Sequence, residues 1–258
     1  MKPAAFDHVA PRTLDEALAL LAQHADDAKV LAGGQSLVPV LALRLASPAW
    51  LIDINRIDSL SGIRRLESGA LAIGALTRHT TVERSGVVAE ANPLLASVMP
   101  WIAHPPIRNR GTIGGSLAHA DPAAELPGVC VACDAMLTVR SRRARREIAA
   151  ADFFKALFET ALAADELLTE IRFPAWPARR THGFLEVARR HGDFAIFGIA
   201  ATVDRSAEGR ITDARIVAIG VADRPVRLAA AERSLIGTRG ERDAIEGALG
   251  FVWISARF

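Results

Sequence analysis

The sequence lacks several features that define common functional classes. It has only two cysteines, Cys130 and Cys133, so this chain alone does not supply the four thiolates of an iron–sulfur cluster. No apolar run approaches the roughly 20 residues that a membrane-spanning helix needs, which predicts no membrane span. The first seven residues lack the apolar core of a signal peptide, so we expect a cytoplasmic protein.

The cysteines and the charged residues also point away from metal and nucleic-acid binding. Residues 128–133 are apolar throughout, which favours two buried cysteines over a redox or metal pair. The formal net charge is only +2, and the basic stretch Arg140–Arg146 contains no aromatic residues. No histidine spacing is typical of a metal centre. We therefore predict no metal site and no nucleic-acid partner.

Apolar periodicity and turn residues predict a folded chain of two domains. Of the 258 residues, 50% are hydrophobic and 23% charged, as in ordinary globular proteins. Helices are expected at residues 12–24, 37–45, 94–103, 123–134, 227–236 and 241–249. Strands are expected at residues 28–32, 50–54, 70–74, 136–140, 167–173, 183–190, 195–204 and 211–221. The proline-rich segment 174–178 indicates a linker between domains 1–176 and 177–258, and the second has the α+β order of strands before helices.

A glycine pair follows the first predicted strand, in the segment Val30–Leu37. Glycines let the main chain approach a ligand closely, and consecutive N–H groups or a helix N-terminus bind phosphate. The third glycine of the nicotinamide-type fingerprint is absent, so that kind of dinucleotide domain is a poor fit. On its own, the segment is equally typical of a plain strand–turn–helix junction.

A second glycine-rich segment holds three glycines within residues 111–115. We predict an irregular loop over residues 105–116, because Pro105 and Pro106 oppose a regular helix. Long irregular segments of this kind are commonly functional. Two glycine-rich loops are suited to closing on one diphosphate from two sides.

In their order along the chain, these motifs resemble the FAD-binding subunit of the xanthine dehydrogenase and carbon monoxide dehydrogenase family. The resemblance rests on residues 32–36 and 109–116 and covers nearly the whole chain. Further blocks match at residues 51–54, 73–75, 119–122 and 189–195. The resemblance implies the vanillyl-alcohol-oxidase-like fold, in which a PCMH-type FAD-binding domain has two α+β subdomains. A small α+β domain with three antiparallel strands is implied to follow.

The same resemblance implies a site for non-covalently bound FAD. The first glycine segment would wrap the diphosphate, and the second would complete the cradle. Ile102 would contact the flavin, Glu125 would bind the adenosine end, and Leu168 would pack near the cofactor. The implied cofactor-binding residues are Val30, Leu31, Ala32, Gly33, Gly34, Gln35, Ser36, Leu37, Ile102, Thr112, Gly114, Gly115, Ser116, Glu125 and Leu168. Glu125 is equally typical of an exposed carboxylate in a first helical turn, and Leu168 of a buried strand leucine.

Two features depart from the family pattern. Many relatives carry a lysine that reaches the flavin at a position occupied here by Glu186. The last residues do not resemble the family's ending, so a shortened or divergent C-terminus is expected. His79, His104 and His119 lie near the implied site, but histidines in loops are usually hydrogen-bonding residues, and we assign none of them a catalytic role.

The function implied by the resemblance is electron transfer within a molybdenum hydroxylase complex. The chain would take electrons from an iron–sulfur subunit with [2Fe–2S] clusters and pass them to an external acceptor. A large molybdopterin subunit would oxidise the substrate, in a dimer of heterotrimers. Two alternatives are a self-sufficient FAD-dependent oxidase of the same fold acting on a small alcohol, and a cofactor-free structural subunit. The short C-terminal domain argues against the first, and the intact glycine segments argue against the second.

Overall fold

The chain contains a run of consecutive helices between residues 79 and 132 and a run of consecutive strands between residues 180 and 227. The computed structural model describes residues 2–255, and the side chains of residues 2–250, so the prediction about the C-terminal ending lies outside the described residues. The helices are α1 Leu14–His24, α2 Leu37–Ala42, α3 His79–Glu83, α4 Gly86–Ala91, α5 Pro93–Val98, α6 Pro105–Arg108, α7 Ile113–His119, α8 Glu125–Ala132, α9 Ala150–Phe153, α10 Ala229–Leu235 and α11 Arg242–Ser255. None of the helices in this range is long and apolar enough to cross a membrane.

The strands form three sheets and one short hairpin. They are β1 Asp7–Val9, β2 Ala28–Leu31, β3 Trp50–Asp53, β4 Ile63–Arg65, β5 Leu71–Gly74, β6 Met136–Arg140, β7 Arg145–Ala149, β8 Phe154–Ala156, β9 Glu159–Thr160, β10 Leu167–Phe173, β11 Arg180–Val187, β12 Phe197–Arg205, β13 Ile211–Ile219 and β14 Val226–Arg227. A parallel sheet has the order β1-β3-β2, and a five-stranded antiparallel sheet has the order β4-β5-β10-β6-β7. The C-terminal antiparallel sheet has the order β11-β12-β13-β14, so a two-residue fourth strand joins the three that were expected.

Helix α1 covers the parallel sheet because its sequence has one apolar face. The predicted capping box is confirmed: the Glu16 N–H donates to the Thr13 hydroxyl at 3.2 Å, and the Thr13 N–H donates to the Glu16 carboxylate at 3.3 Å. Leu18 and Leu21 are buried in the same apolar cluster as Ile52 of β3. The strand order leaves β2 at the edge of the sheet, where its C-terminal end leads into the first glycine segment.

The largest core lies between the five-stranded sheet and helices α5, α7 and α8. It also includes Ala200 of β12 and Val217 of β13, so the C-terminal sheet packs directly on the part of the chain that precedes it. Gly128 on α8 permits this approach, because an added Cβ would lie 2.6 Å from the Cγ2 atom of Ile219. A bidentate ion pair between Arg180 and Asp204, at 2.6 and 2.7 Å, joins β11 to β12.

The prediction of an irregular loop over residues 105–116 is wrong. Pro105 begins α6, where the missing N–H of a proline costs no helical hydrogen bond. Thr112 caps α7 by accepting a hydrogen bond from the Gly115 N–H at 3.1 Å. Most of the second glycine segment is therefore the first turn of a helix.

Two predicted helices are shorter than expected. The helix predicted over residues 94–103 ends at Val98 and continues as a single tight turn, because Pro100 has no N–H to extend the helix. The helix predicted over residues 37–45 ends at Ala42. The other predicted elements are present with bounds that differ by a few residues.

Candidate cofactor site

The first glycine segment has a run of main-chain N–H groups without acceptors. Strand β2 ends at Leu31, and residues 32–36 lead directly into α2. Among residues 2–255, no group accepts a hydrogen bond from the main-chain N–H groups of residues 32–37. The Gln35 side chain donates to the Gly33 carbonyl at 3.0 Å, which leaves these donors free. A run of six such donors suits the oxygens of a phosphate group.

In the second glycine segment, the N–H groups of residues 113–116 are all occupied. They donate hydrogen bonds of 2.8–3.1 Å within the protein. Their acceptors are the carbonyls of Thr77, Ala75 and Thr112 and the hydroxyl of Thr112. A Cβ added to Gly114 would lie 2.4 Å from the Cβ of Ala75. Glycine is needed at this position for close packing inside the protein.

The structure places the two glycine segments side by side. A Cβ added to Gly33 would lie 2.5 Å from the carbonyl oxygen of Arg110 and 2.8 Å from the Cα of Gly111. A Cβ added to Gly115 would lie 3.6 Å from the Cβ of Ala32. The segments that sequence analysis assigned to one site therefore do lie together, with main chain packed on main chain.

A buried arginine holds the segment that precedes α6. Arg108 donates to the carbonyls of Ile102 and Ala103, both at 2.9 Å, and pairs with Glu83 at 2.8 Å. This arrangement fixes the main chain around Ile102, whose side chain is buried in the largest core. Leu168 of β10 is buried in the same core, and its geometry is that of an ordinary strand leucine.

Glu125 is buried, so the interpretation of an exposed first-turn carboxylate is wrong. It begins α8 and is only 8% exposed. Burial raises the pKa of Glu125 to about 7, its own main chain opposes the rise, and the charges of Glu186 and Asp121 add to it. Burial also raises the pKa of Glu186, whose Oε2 atom has no partner among the described residues. Two carboxyl groups here are thus available to bond a ligand's hydroxyl or N–H groups.

His79 is enclosed beneath the second segment. A Cβ added to Gly111 would lie 3.0 Å from its Nδ1 atom, and neither ring nitrogen meets a partner at hydrogen-bonding geometry in the described part of the chain. Burial lowers the pKa of His79 to about 4, an effect that the nearby Thr112 main chain only partly opposes. His79 is therefore neutral at pH 7 and is not exposed for covalent attachment of a cofactor.

The block at residues 189–195 returns from the C-terminal sheet to this site. The His191 ring stacks on Trp101 with centroids 5.8 Å apart. Gly192 lies so close to His104 that an added Cβ would be 2.6 Å from its ring. This loop therefore packs against the segment that carries Ile102.

Two residues that sequence analysis missed link the glycine segments. The Asn55 side chain donates to the Ala32 carbonyl at 2.8 Å, and Arg78 donates to the Asn55 amide oxygen at 2.7 Å and to the Arg110 carbonyl. The position of Asn55 was open to prediction, because β2 and β3 pair in parallel and Asn55 lies two residues after the end of β3. No local pattern in the sequence indicates the role of Arg78.

The cysteines lie in the core, as predicted. Cys130 and Cys133 are both buried, and burial raises the pKa of Cys133 to about 12. Within the described residues, no group of three or more histidine, cysteine, aspartate or glutamate side chains is placed to hold a metal ion.

Comparison with known proteins agrees with this geometry. Residues 4–176 match the family described as the FAD binding domain in molybdopterin dehydrogenase, and residues 182–252 match the CO dehydrogenase flavoprotein C-terminal domain. The chain is 45% identical to the 6-hydroxypseudooxynicotine dehydrogenase complex subunit alpha of Paenarthrobacter nicotinovorans, over 92% of this chain and 79% of the relative. It is 43% identical to the caffeine dehydrogenase subunit beta of a Pseudomonas species, over 92% of this chain and 80% of the relative.

A solved structure shares the whole fold. A chain of the carbon monoxide dehydrogenase from Hydrogenophaga pseudoflava superposes with a TM-score of 0.94 at 39% identity, over 97% of this chain and 87% of that chain. The mixed helix and strand architecture is thus that of a CO dehydrogenase chain, and the acceptor-free donors at residues 32–37 fit a bound FAD. The chain belongs to the family of FAD-binding medium subunits of molybdenum hydroxylases, and it is an oxidoreductase subunit.

Proposed function

We propose that the chain is the electron-transfer subunit of a molybdenum hydroxylase complex. It would take electrons from a partner [2Fe–2S] subunit and pass them to an external acceptor. The observation that carries the proposal is the run of acceptor-free N–H groups at residues 32–37, packed beside the second glycine segment. When bound, FAD supplies the redox chemistry, and the chain's own residues bind and orient it.

The N–H groups of residues 32–37 would bind the diphosphate. Phosphate oxygens need donors that are not already engaged, and this segment offers them from rigid main chain at the end of a strand. Thr112, Gly115 and Ser116 would close the other side of the cradle, since Gly115 faces Ala32. The second segment would contribute shape and a serine hydroxyl, because the N–H groups of residues 113–116 are occupied.

The two ends of the cofactor would meet different surfaces. Ile102 offers the flavin an apolar contact on a fixed main chain, and Leu168 would support it from the core. Glu125 would bond the adenosine end through its buried carboxyl group. Glu186 supplies no positive charge where many relatives place a lysine. Binding would be non-covalent, and His79 in particular is enclosed and would not attach the flavin.

The fold supports a division into a PCMH-type FAD-binding domain and a C-terminal domain. In this assignment the parallel sheet and the five-stranded sheet, each with its own apolar cluster, form two subdomains within residues 1–176. The C-terminal sheet and the last two helices form the domain at residues 177–258, with a third cluster.

Exposed apolar residues at the β11–β12 hairpin support a partner surface. Leu185, Val187, Phe194 and Ile196 are each more than half exposed. Clusters of large apolar side chains on a surface commonly mark interfaces. The hairpin loop packs on the segment that carries Ile102, so a partner docked here would lie near the flavin end. We assign the surface to the iron–sulfur subunit, with a molybdopterin subunit completing a dimer of heterotrimers.

Co-expression with an iron–sulfur and a molybdopterin subunit tests the proposal. The purified complex and the isolated chain would each be mixed anaerobically with a panel that includes caffeine and 6-hydroxypseudooxynicotine, the compounds in the names of two relatives. Flavin absorbance is expected to bleach in the complex only, while dithionite bleaches both. Acid precipitation is expected to release the flavin into the supernatant. Bleaching of the isolated chain by a substrate would instead indicate a self-sufficient oxidase.

A further inference from the structure

A chain of hydrogen bonds joins the two glycine segments. The Asn55 side chain bonds the Ala32 carbonyl, and the Arg78 guanidinium bonds both Asn55 and the Arg110 carbonyl. The Asn55 N–H donates to the Asp53 carboxylate at 2.9 Å, which ties this link to the end of β3. Arg78 therefore spans the junction at which Gly33 packs against Arg110.

This link determines the direction of a phosphate-binding donor. In a planar trans peptide, the carbonyl of one residue and the N–H of the next point in opposite directions. Because Asn55 holds the Ala32 carbonyl on its own side, the N–H of Gly33 points away from Asn55. Gln35 acts in the same way on the next peptide, since it bonds the Gly33 carbonyl at 3.0 Å.

The same link carries positive charge. Burial lowers the pKa of Arg78, the neighbouring charge of Arg110 lowers it further, and Asp53 opposes the effect. At the junction of the segments, the charge of Arg110 thus disfavours the charge of Arg78. A bound diphosphate would relieve this repulsion.

We propose that Asn55 and Arg78 are positioning residues for the diphosphate of FAD. Arg78 holds Asn55, Asn55 holds the Ala32–Gly33 peptide, and the peptide presents its N–H to the diphosphate. This assignment rests on the proposed function of residues 32–37 as the diphosphate site.

The test compares FAD with riboflavin, which has no diphosphate, on the full-length chain. Asn55→Asp keeps the acceptor for Arg78 but removes the donor to Ala32, at almost constant volume. The dissociation constant for FAD is expected to rise about tenfold, and that for riboflavin by less than about twofold. Arg78→Lys keeps the charge but loses the two-pronged contact, so a smaller loss, again confined to FAD, is expected.

Arg110→Gln is the matched control. Its side chain makes no hydrogen bond within the described residues, so the variant removes a nearby charge and leaves the link intact. We expect less than about a threefold loss of FAD affinity, decreasing with added salt. The double variant Asn55→Asp/Arg78→Lys is expected to bind FAD no more weakly than Asn55→Asp alone, because both residues act in series.

The outcomes distinguish the positioning role of Asn55 and Arg78 from the diphosphate site at residues 32–37. Equal losses for FAD and riboflavin, additive losses in the double variant, or unchanged FAD affinity would overturn the positioning role and leave the diphosphate site in place. A parent chain that binds riboflavin and FAD with equal affinity would overturn the diphosphate site itself, and the positioning role with it.

Discussion

The two glycine-rich segments are alike in sequence and opposite in hydrogen bonding. At residues 32–37 the main-chain donors have no acceptor in the described part of the chain, whereas at residues 113–116 every donor is bonded within the protein. The first follows a strand at the edge of a sheet, and the second is a capped helical turn bonded to residues 75–77. A glycine pair therefore indicates close main-chain approach, either to a ligand or to the protein itself.

The difference predicts that Gly114→Val mainly destabilises the fold. The Cβ would meet the Cβ and carbonyl of Ala75 at 2.4 and 2.7 Å, so α7 and the residue that follows β5 must move apart. We expect the free energy of unfolding of the FAD-free chain to fall by about 3 kcal/mol or more, measured by urea unfolding. Gly86→Val is the control, because a Cβ there meets nothing within 4 Å. Similar losses in the two variants would contradict tight packing at Gly114.

Amide hydrogen exchange tests directly whether the two glycine segments differ in hydrogen bonding. With free FAD at a hundred times its dissociation constant, about 1% of the chain is unbound at any time. Donors that bond FAD exchange only from this fraction, so exchange at residues 32–37 is expected to slow about a hundredfold. Residues 113–116 are expected to be protected already without FAD, because their donors are bonded. Fast exchange there in the FAD-free chain would remove the distinction between the segments.

The sequence predicts those parts of the site that depend on interactions between residues close together in the chain. The capping box of α1 and the strand before Gly33 are local, and the sequence predicts both. Pro105 and Pro106 favour a loop over residues 105–116, so the sequence does not predict the helical turn at residues 113–116, although Thr112 is a good helix cap.

Long-range contacts set the limits of sequence analysis. Glu125 is buried because β12 and β13 of the C-terminal sheet pack over α8, a contact between segments far apart in the chain. Arg78 acquires its role only where the main chain brings Arg110 beside Gly33. Neither arrangement follows from the residues around the position concerned.

Two acidic residues, Glu125 and Asp121, follow the second glycine segment. The folded pKa of Glu125, about 7, lies above its ordinary value of 4.5. The folded chain therefore keeps a proton that the unfolded chain releases, and stability is lost as pH rises from about 4.5 to 7. Between pH 5 and pH 8, the free energy of unfolding of the parent is expected to fall by roughly 2–3 kcal/mol more than that of Glu125→Gln. Urea unfolding of the FAD-free chains measures both. Glu90→Gln, which removes an exposed carboxylate of α4, is the control. A profile for Glu125→Gln that runs parallel to that of the parent would refute the assignment.

The smallest expected effect separates the adjacent glycines of the first segment. Gly34 has φ +72°, so Gly34→Ala should cost about 1 kcal/mol of stability through strain. Its Cβ meets only the ends of the Leu31 and Val38 side chains, both at 3.1 Å, which can shift. The main-chain donors would keep their positions, so the dissociation constant for FAD should change by less than about threefold.

Gly33→Ala adds the same methyl group 2.5 Å from the Arg110 carbonyl and should weaken FAD binding more than tenfold, because it forces the two segments apart. Fluorescence titration of FAD measures both constants, and equal losses at the two glycines would mean that contact between the segments does not shape the site.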